Sequence, residues 1–472
     1  MANHSGGLRG LVAILLLVMF IATCDSAIDP AANWLANKKE GSKRKPSNAN
    51  PPPKPSPKPK LKSSSTPKPA PNPEPTTPPA PIQGGSTFDV LDYGAKGDGV
   101  TDDTMAFLDA WAAACNYEAP SATMFVPSNG EFLVGPISFS GPCKPNIVFQ
   151  LDGTIIAPTS AEAWGTGRLQ WLEFRVLEQV EIQGQGTIEG RGSAWWSINT
   201  QYLFSNSLDT ELRGNLPHTR PTALRFFGSS NVTVTGITIQ NSQQCHLKFD
   251  SCQAVEVSGV TISSPGDSPN TDGIHLQNSV GVTIRNTDMA CGDDCISIQT
   301  GCSNILIQNV KCGPGHGISI GGLGKGNTQA TVSDVTVQNA DLVGTPTGVR
   351  IKTWQGGSGY AKGLRFSNIK VSQVMTPIVI DQFYCDRSKC KNQTSAVALS
   401  DITYDGVAGT YTTQPVRLAC SDSKPCSGIH LSDIQLQLAQ QRGKVLDPFC
   451  WKAYGDVKGP TEPDIHCLIP EK

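Results

Sequence analysis

A five-residue pattern, apolar–x–apolar–polar–Gly/Asn/Asp, recurs along the chain and limits its fold more than any other feature. It occurs at 180–184, 232–236, 255–259, 282–286, 305–309, 335–339, 364–368, 397–401 and 429–433. The alternation marks short strands with one buried face. Gly, Asn or Asp at the end suits a sharp bend through the left-handed region. From Gly236 onward the intervals are 23, 27, 23, 30, 29, 33 and 32 residues. Such spacing is too uneven for propeller blades, and the pattern is too strand-rich for helical repeats. An antiparallel sandwich would want hairpin turns instead of one motif recurring in step. Coils of two or three short strands with corner loops of varying length fit, so the expected fold class is all-β, a parallel β-helix. Ahead of the repeat, Asp102 or Asp103 can cap a helix running through Met105, Phe107, Leu108 and Trp111 to about Cys115. One face of it is apolar, and it can cover the open N-terminal end of the solenoid. The solenoid core is expected from about Phe132 to Leu436.

Between Ser268 and Lys352 a second repetition appears. The runs Ile274-His275-Leu276, Ile296-Ser297-Ile298 and Ile318-Ser319-Ile320 are alike, and Asp272, Asp294 and His316 each stand two residues before them, 22 residues apart. If each interval is one coil, these side chains form a ladder with a rung roughly every 4.8 Å, the spacing of neighbouring strands. Asp293 sits beside the middle rung. Alternation points Lys248, His275, Ser297, Ser319 and Arg350 outward in one row, and Gln277, Gln299, Gly321 and Lys352 in the next. The expectation is a long polar groove suited to a polymer ligand.

Three carboxylates and an imidazole in one groove suit hydrolysis of a glycosidic bond. One acid must keep its proton and give it to the leaving oxygen; another must be ionised and activate water. Neighbouring carboxylates push each other's pKa values apart, and nearby cations pull one down. Spacing alone does not say which aspartate is which. An imidazole such as His316 can hold a carboxylic acid's proton in place, while Arg350 and Lys352 can bind an anion on the sugar, Arg as a fork and Lys as a point charge. A Ca²⁺ site could also use the oxygens, but His316 and the two cations argue against it. Of the cysteines only Cys291 and Cys295 have loosely ligand-like spacing, which does not make a zinc site.

The ends of the chain are of different material. Arg9 precedes the apolar run Leu11 to Ala22, too short to span a bilayer comfortably, so residues 1–27 read as a secretion signal. Without Cys24, fourteen of the 15 cysteines remain, the even number expected of a secreted disulfide protein, with Cys385 and Cys390, Cys420 and Cys426, and Cys450 and Cys467 close together. Residues 28–86 form a Pro/Lys-rich linker. Fifteen prolines between Pro46 and Pro81, with lysines interleaved, cannot build a core and favour an extended, polyproline-like tail, of about +8 charge over residues 38–86. It is a spacer, a removed propeptide or a basic arm gripping an acidic polymer. Residues 87–472 make one catalytic domain. Asn231 and Asn392, in Asn-Val-Thr and Asn-Gln-Thr, are the glycosylation candidates of that body.

Asn-Thr-Asp at 270–272, Gly-Asp-Asp at 292–294, Gly-His-Gly at 315–317 and Arg-Ile-Lys at 350–352, in that order, resemble the four signature motifs of polygalacturonases, the pectin-cleaving glycoside hydrolases. The likeness covers roughly residues 87–467, including Phe-Asp-Val-x-Asp-Tyr-Gly-Ala at 88–95. It implies a right-handed parallel β-helix that hydrolyses α-1,4-galacturonosidic bonds of pectin with inversion, without cofactor or metal. It implies Asp293 as proton donor, Asp272 and Asp294 as the water-activating pair, and His316 as the motif histidine. Arg350, Lys352 and Tyr384, with Asn270 and Gln299, become substrate ligands, and Cys295 and Cys312 a disulfide beside the site. The expected partner is pectin alone, with no nucleic acid and no membrane, for a monomer acting in the cell wall. Close alternatives are a hydrolase of a modified pectin such as rhamnogalacturonan, which the intact His316, Arg350 and Lys352 disfavour, and a pectate lyase, which would need Ca²⁺ and an arginine base. A wall-binding module with little turnover is the alternative of a different class.

Overall fold

The computed structural model describes residues 86–165, 170–196, 220–386, 390–439 and 444–471. The expected signal peptide and the linker up to residue 85 lie outside them. The described chain winds into a parallel β-helix whose strands pair only with their equivalents one coil away, in sheets of 20 and 11 strands. The coils advance in the right-handed sense that parallel crossovers favour.

The recurring pattern is the register of the large sheet. Val180, Val232, Val255, Val282, Ile305, Val335 and Leu364 are successive partners, so like side chains stack along the axis. All are buried. Burying each such aliphatic side chain is worth roughly 1.5–3 kcal/mol. The end residue turns the chain: Gly236, Gly259, Asn286, Asn309, Asn339 and Asn368 all have positive φ. The four asparagines add a ladder, since Asn309 donates to Asn286, Asn339 to Asn309 and Asn368 to Asn339 across 3.3, 3.0 and 2.7 Å.

One instance was misplaced by the sequence pattern. Leu364 pairs with Ile402, not with Val397, and Phe366 with Tyr404, whose rings stack at 5.0 Å. The repeat there is Ile402-Thr-Tyr-Asp-Gly406. The strand is entered and left through left-handed corners, at Asp401 (φ 52°) and Gly406 (φ 69°), so the entry corner imitates the exit. The solenoid is also longer than expected. Its large sheet starts at Ser86–Asp89 and ends at Ile469–Pro470, because the end coils pair in register without carrying the clean pattern.

Helix α1 (Thr104–Cys115) covers the N-terminal end. Its first free N–H, on Thr104, donates to Asp102 at 3.0 Å, while the Asp103 carboxylate accepts from the N–H groups of Lys96 and Gly97. Trp111 packs 5.1 Å from Phe139, Phe107 packs 5.7 Å from Phe132, and the Cys115–Cys143 disulfide ties the helix end. Met105, expected on the apolar face, is exposed. Among the described residues, further disulfides join Cys295 to Cys312, Cys385 to Cys390, Cys420 to Cys426 and Cys450 to Cys467. The even cysteine count does not mean complete pairing: Cys252, Cys291 and Cys302 are free thiols buried among core side chains.

Candidate active site

Six consecutive strands of the 11-stranded sheet build the site: β1 (Leu247–Asp250), β2 (Ile274–Gln277), β3 (Ile296–Ile298), β4 (Ile318–Leu323), β5 (Thr347–Trp354) and β6 (Thr376–Tyr384). Their apolar positions fill the interior. Ile274, Ile296, Ile318 and Val349 are successive partners, which puts Asp272, Asp294 and His316 at equivalent places on three coils. The row Lys248, His275, Ser297, Ser319 and Arg350 is likewise in register. Its exposure differs from expectation. These side chains and Lys352 are buried, because the row is knitted into an ion-pair and hydrogen-bond network that covers itself.

The three carboxylates have different neighbours. Asp294 accepts from Arg350 at 2.7 Å and Ser319 at 2.8 Å through Oδ1, and from Lys352 at 2.7 Å through Oδ2. Arg350 Nε also donates to Ser319 Oγ at 3.0 Å. Arg350 and Lys352 therefore neutralise an aspartate of the site, as the expected pull of nearby cations on one carboxylate allows, besides the role toward a sugar anion that the sequence suggested. Asp293 accepts from the Asp294 backbone N–H at 2.8 Å and from Asn270 Nδ2 at 3.1 Å, and shares a 3.1 Å hydrogen bond with His316 Nδ1. Burial works against the imidazolium of His316, but the hydrogen bond and charge of Asp293, with the charge of Asp294, raise its pKa on balance. Asp272 shares a 3.2 Å hydrogen bond with His275 Nδ1, while its Oδ1 is buried without a hydrogen-bond partner. Burial, and then the charges of Asp293 and Asp294, push the Asp272 carboxyl well up. His275 is driven the other way by burial and by Lys248 and Lys352, so its ring is neutral.

Local backbone holds these groups. Thr271 Oγ1 accepts from the Gly292 N–H at 2.8 Å, joining the first two motifs. A Cβ on Gly292 would stand 1.7 Å from the Ser268 carbonyl oxygen, so only glycine allows that approach. The His316 N–H donates to the Asp293 carbonyl at 2.7 Å, and the Cys295–Cys312 disulfide lies directly behind. The fully buried His246 bridges the Asp272 carbonyl at 2.8 Å and Ser264 Oγ at 2.7 Å, and burial lowers its pKa to about 4, so it serves as a neutral strut.

Asn270, Asp272, Asp293, Asp294, His316, Arg350 and Lys352 thus converge. Tyr384 joins them from the side, with Lys352 Nζ 5.3 Å from its ring centroid. Gln299 directs its amide to Ser297 Oγ and the Gly321 carbonyl, both at 2.9 Å, instead of to the carboxylates. His275 and Ser319 belong to the site although no motif singled them out; the outward row was their signal. Ligand atoms of Asp293, Asp294 and His316 lie within 4.8 Å of one another, as do those of Cys245, Asp272 and His275. Asp294 and Asp293 already spend their oxygens on the donors named above, which leaves a cation poorly provided.

The model of glycosyl hydrolases family 28 matches residues 115–447. A probable polygalacturonase of Arabidopsis thaliana is 45% identical over 79% of this chain and 82% of its own. The polygalacturonase of Cryptomeria japonica is 42% identical over 81% of this chain and 73% of its own. Among solved structures, the polygalacturonase of Erwinia carotovora superposes with a TM-score of 0.63 over 81% of this chain and all of its own, at 23% identity, which speaks to the fold.

Proposed function

The chain belongs to glycosyl hydrolases family 28, as a glycoside hydrolase of the polygalacturonase group, and from that premise we propose that it is a secreted monomer cleaving α-1,4-galacturonosidic bonds of pectin with inversion. The observation that carries this reading is the sorting of three adjacent carboxylates by their neighbours. Asp293 has a histidine of raised pKa behind it, so the pair retains a proton that Asp293 can give to the leaving glycosidic oxygen as the C1–O bond breaks. Asp272, whose raised pKa makes it a stronger base once ionised, takes a proton from the water that attacks C1 on the opposite face. Asp294 orients that water with it and is itself fixed by Arg350 and Lys352. Burial and its charged neighbours push Asp272 itself toward the protonated form. Asp293 is favoured as donor because its side chain is more open and because His316 replenishes it. Lys352 and Tyr384 present a cation and a ring edge to the carboxylate of a bound galacturonate.

Secretion is supported by the N-terminal signal pattern and by the exposure of Asn231 and Asn392 in their glycosylation sequences. No helix among the described residues is long and apolar enough to cross a membrane. Counting reducing ends released from polygalacturonate and from a rhamnogalacturonan backbone tests the substrate. The proposal expects release from the first, with no ultraviolet-absorbing product. Release confined to the second, or an unsaturated product, would sink it.

A further inference from the structure

Beside the catalytic cluster lies a cavity of about 290 Å³, lined among others by Lys325, Trp354, Gln355, Tyr384, Lys391 and Gln393. Its walls are continuous with the site. The Tyr384 ring that faces Lys352 also meets Trp354 edge-on, with centroids 5.3 Å apart. Trp354 in turn has Lys325 Nζ 5.3 Å from its centroid, and Lys325 is steadied by Asp386 at 2.9 Å. The opposite wall is also built. Gln393 donates from its backbone N–H to Gln355 Oε1 at 3.3 Å and from its side chain to the Gln355 carbonyl at 3.2 Å. The Cys385–Cys390 disulfide ties the end of the Tyr384 strand to the segment bearing Lys391, which is exposed at the rim.

Two aromatic rings suit a sugar face, two amides suit its hydroxyls, and two ammonium groups suit a carboxylate. Among the described residues lining the cavity none is acidic. Its volume is just below the ~300–1,000 Å³ range of small-ligand sites, enough for one ring. We propose that this cavity binds a second galacturonate of the same polymer, neighbouring the one held at Arg350 and Lys352, and that Lys391 selects a free carboxylate there over a methyl ester. The inference rests on the polygalacturonase reading and adds a specificity determinant to it. An ester keeps the size of the acid within one methyl group but removes the charge that Lys391 would pair.

The test is kinetics of Lys391→Ala and Lys391→Gln on oligogalacturonates of increasing length; exposure of this residue makes both variants safe for folding. The shortest oligomer cleaved, which fills only the catalytic subsites, should be turned over as by the wild type. Oligomers long enough to enter the cavity should show KM raised roughly three- to tenfold with kcat nearly unchanged, and less so at high salt. The wild type should discriminate against partly methyl-esterified oligomers, and both variants should discriminate less. An equal loss at every length, or no loss at any, overturns the subsite. Should the wild type release no reducing ends from any oligogalacturonate, the function is what fails. Calorimetric binding of the long oligomers to wild type and Lys391→Ala then decides the subsite, with equal affinities counting against it.

Discussion

Asp294 keeps company with Arg350, Lys352 and Ser319, and nearly all of this cluster is out of water. Removing one partner of a buried pair leaves a charge uncompensated at a cost of roughly 3–5 kcal/mol. Lys352→Ala should therefore lower stability by about that much in denaturant unfolding, besides weakening substrate binding, whereas a cation serving substrate alone would leave stability unchanged. On the proposed division of labour, Asp293→Asn and Asp272→Asn each cut kcat by about 10²–10⁴-fold. A substrate with a very good leaving group tells them apart, because its departure needs no proton. Asp293→Asn should recover much of its cleavage and Asp272→Asn should not; recovery in the Asp272 variant would exchange acid and base. The pH profile follows from the same two groups. Asp272 must be ionised, so kcat/KM rises as pH climbs through its raised pKa. The Asp293–His316 pair must hold a proton, so kcat/KM falls again as pH climbs through the raised pKa of His316. His316→Gln should remove or displace the alkaline limb in a pH titration of kcat/KM. A limb unmoved by this change would detach His316 from the acid.

At the scale of strands and corners, the period-two pattern with its terminal Asn or Gly carried most of the fold. Val282, Ile284 and Asn286 declare a buried strand and a left-handed exit within five residues, and the structure uses them so. What the pattern does not tell is which corner a residue occupies. Asp401 is left-handed and follows an apolar pair, yet it opens a strand. Burial of the polar row was also hidden. Ser319 and Arg350 alternate as outward residues should, and only the ion pairs formed across coils, far apart in sequence, close over them. His275 stood in that expected row, and what the sequence left open was its hydrogen bond to Asp272, three residues away across a turn. The asparagine corners can be tested directly. Asn339→Ala places a Cβ residue with no local hydrogen bond at φ 56° and should cost about 1–2 kcal/mol by thermal or denaturant unfolding. Asn339→Gly should recover much of this, and what remains measures the ladder contacts to Asn309 and Asn368. Equal costs for alanine and glycine would mean that the ladder, not the corner, is what asparagine supplies.

Over the whole molecule, a solenoid delivers one of the four motifs per coil, so residues from Asn270 to Lys352 reach a single face without any domain closure. The helix covers one end, which would otherwise offer open strands, and the disulfides Cys420–Cys426 and Cys450–Cys467 cross-link the chain near the other. The same stacking sets the reaction geometry. Asp272 and the Asp293–Asp294 pair stand on neighbouring rungs, and on the proposed mechanism a water lies between the base and the sugar instead of a bond between carboxylate and sugar. Proton NMR of an oligogalacturonate digest, read at the first turnovers before the ends mutarotate, examines this most directly. Attack by water from the face opposite the leaving group predicts that the newly formed reducing end appears first as the β anomer. A first product in the α form would require a covalent intermediate or attack from the same face, and would contradict the account.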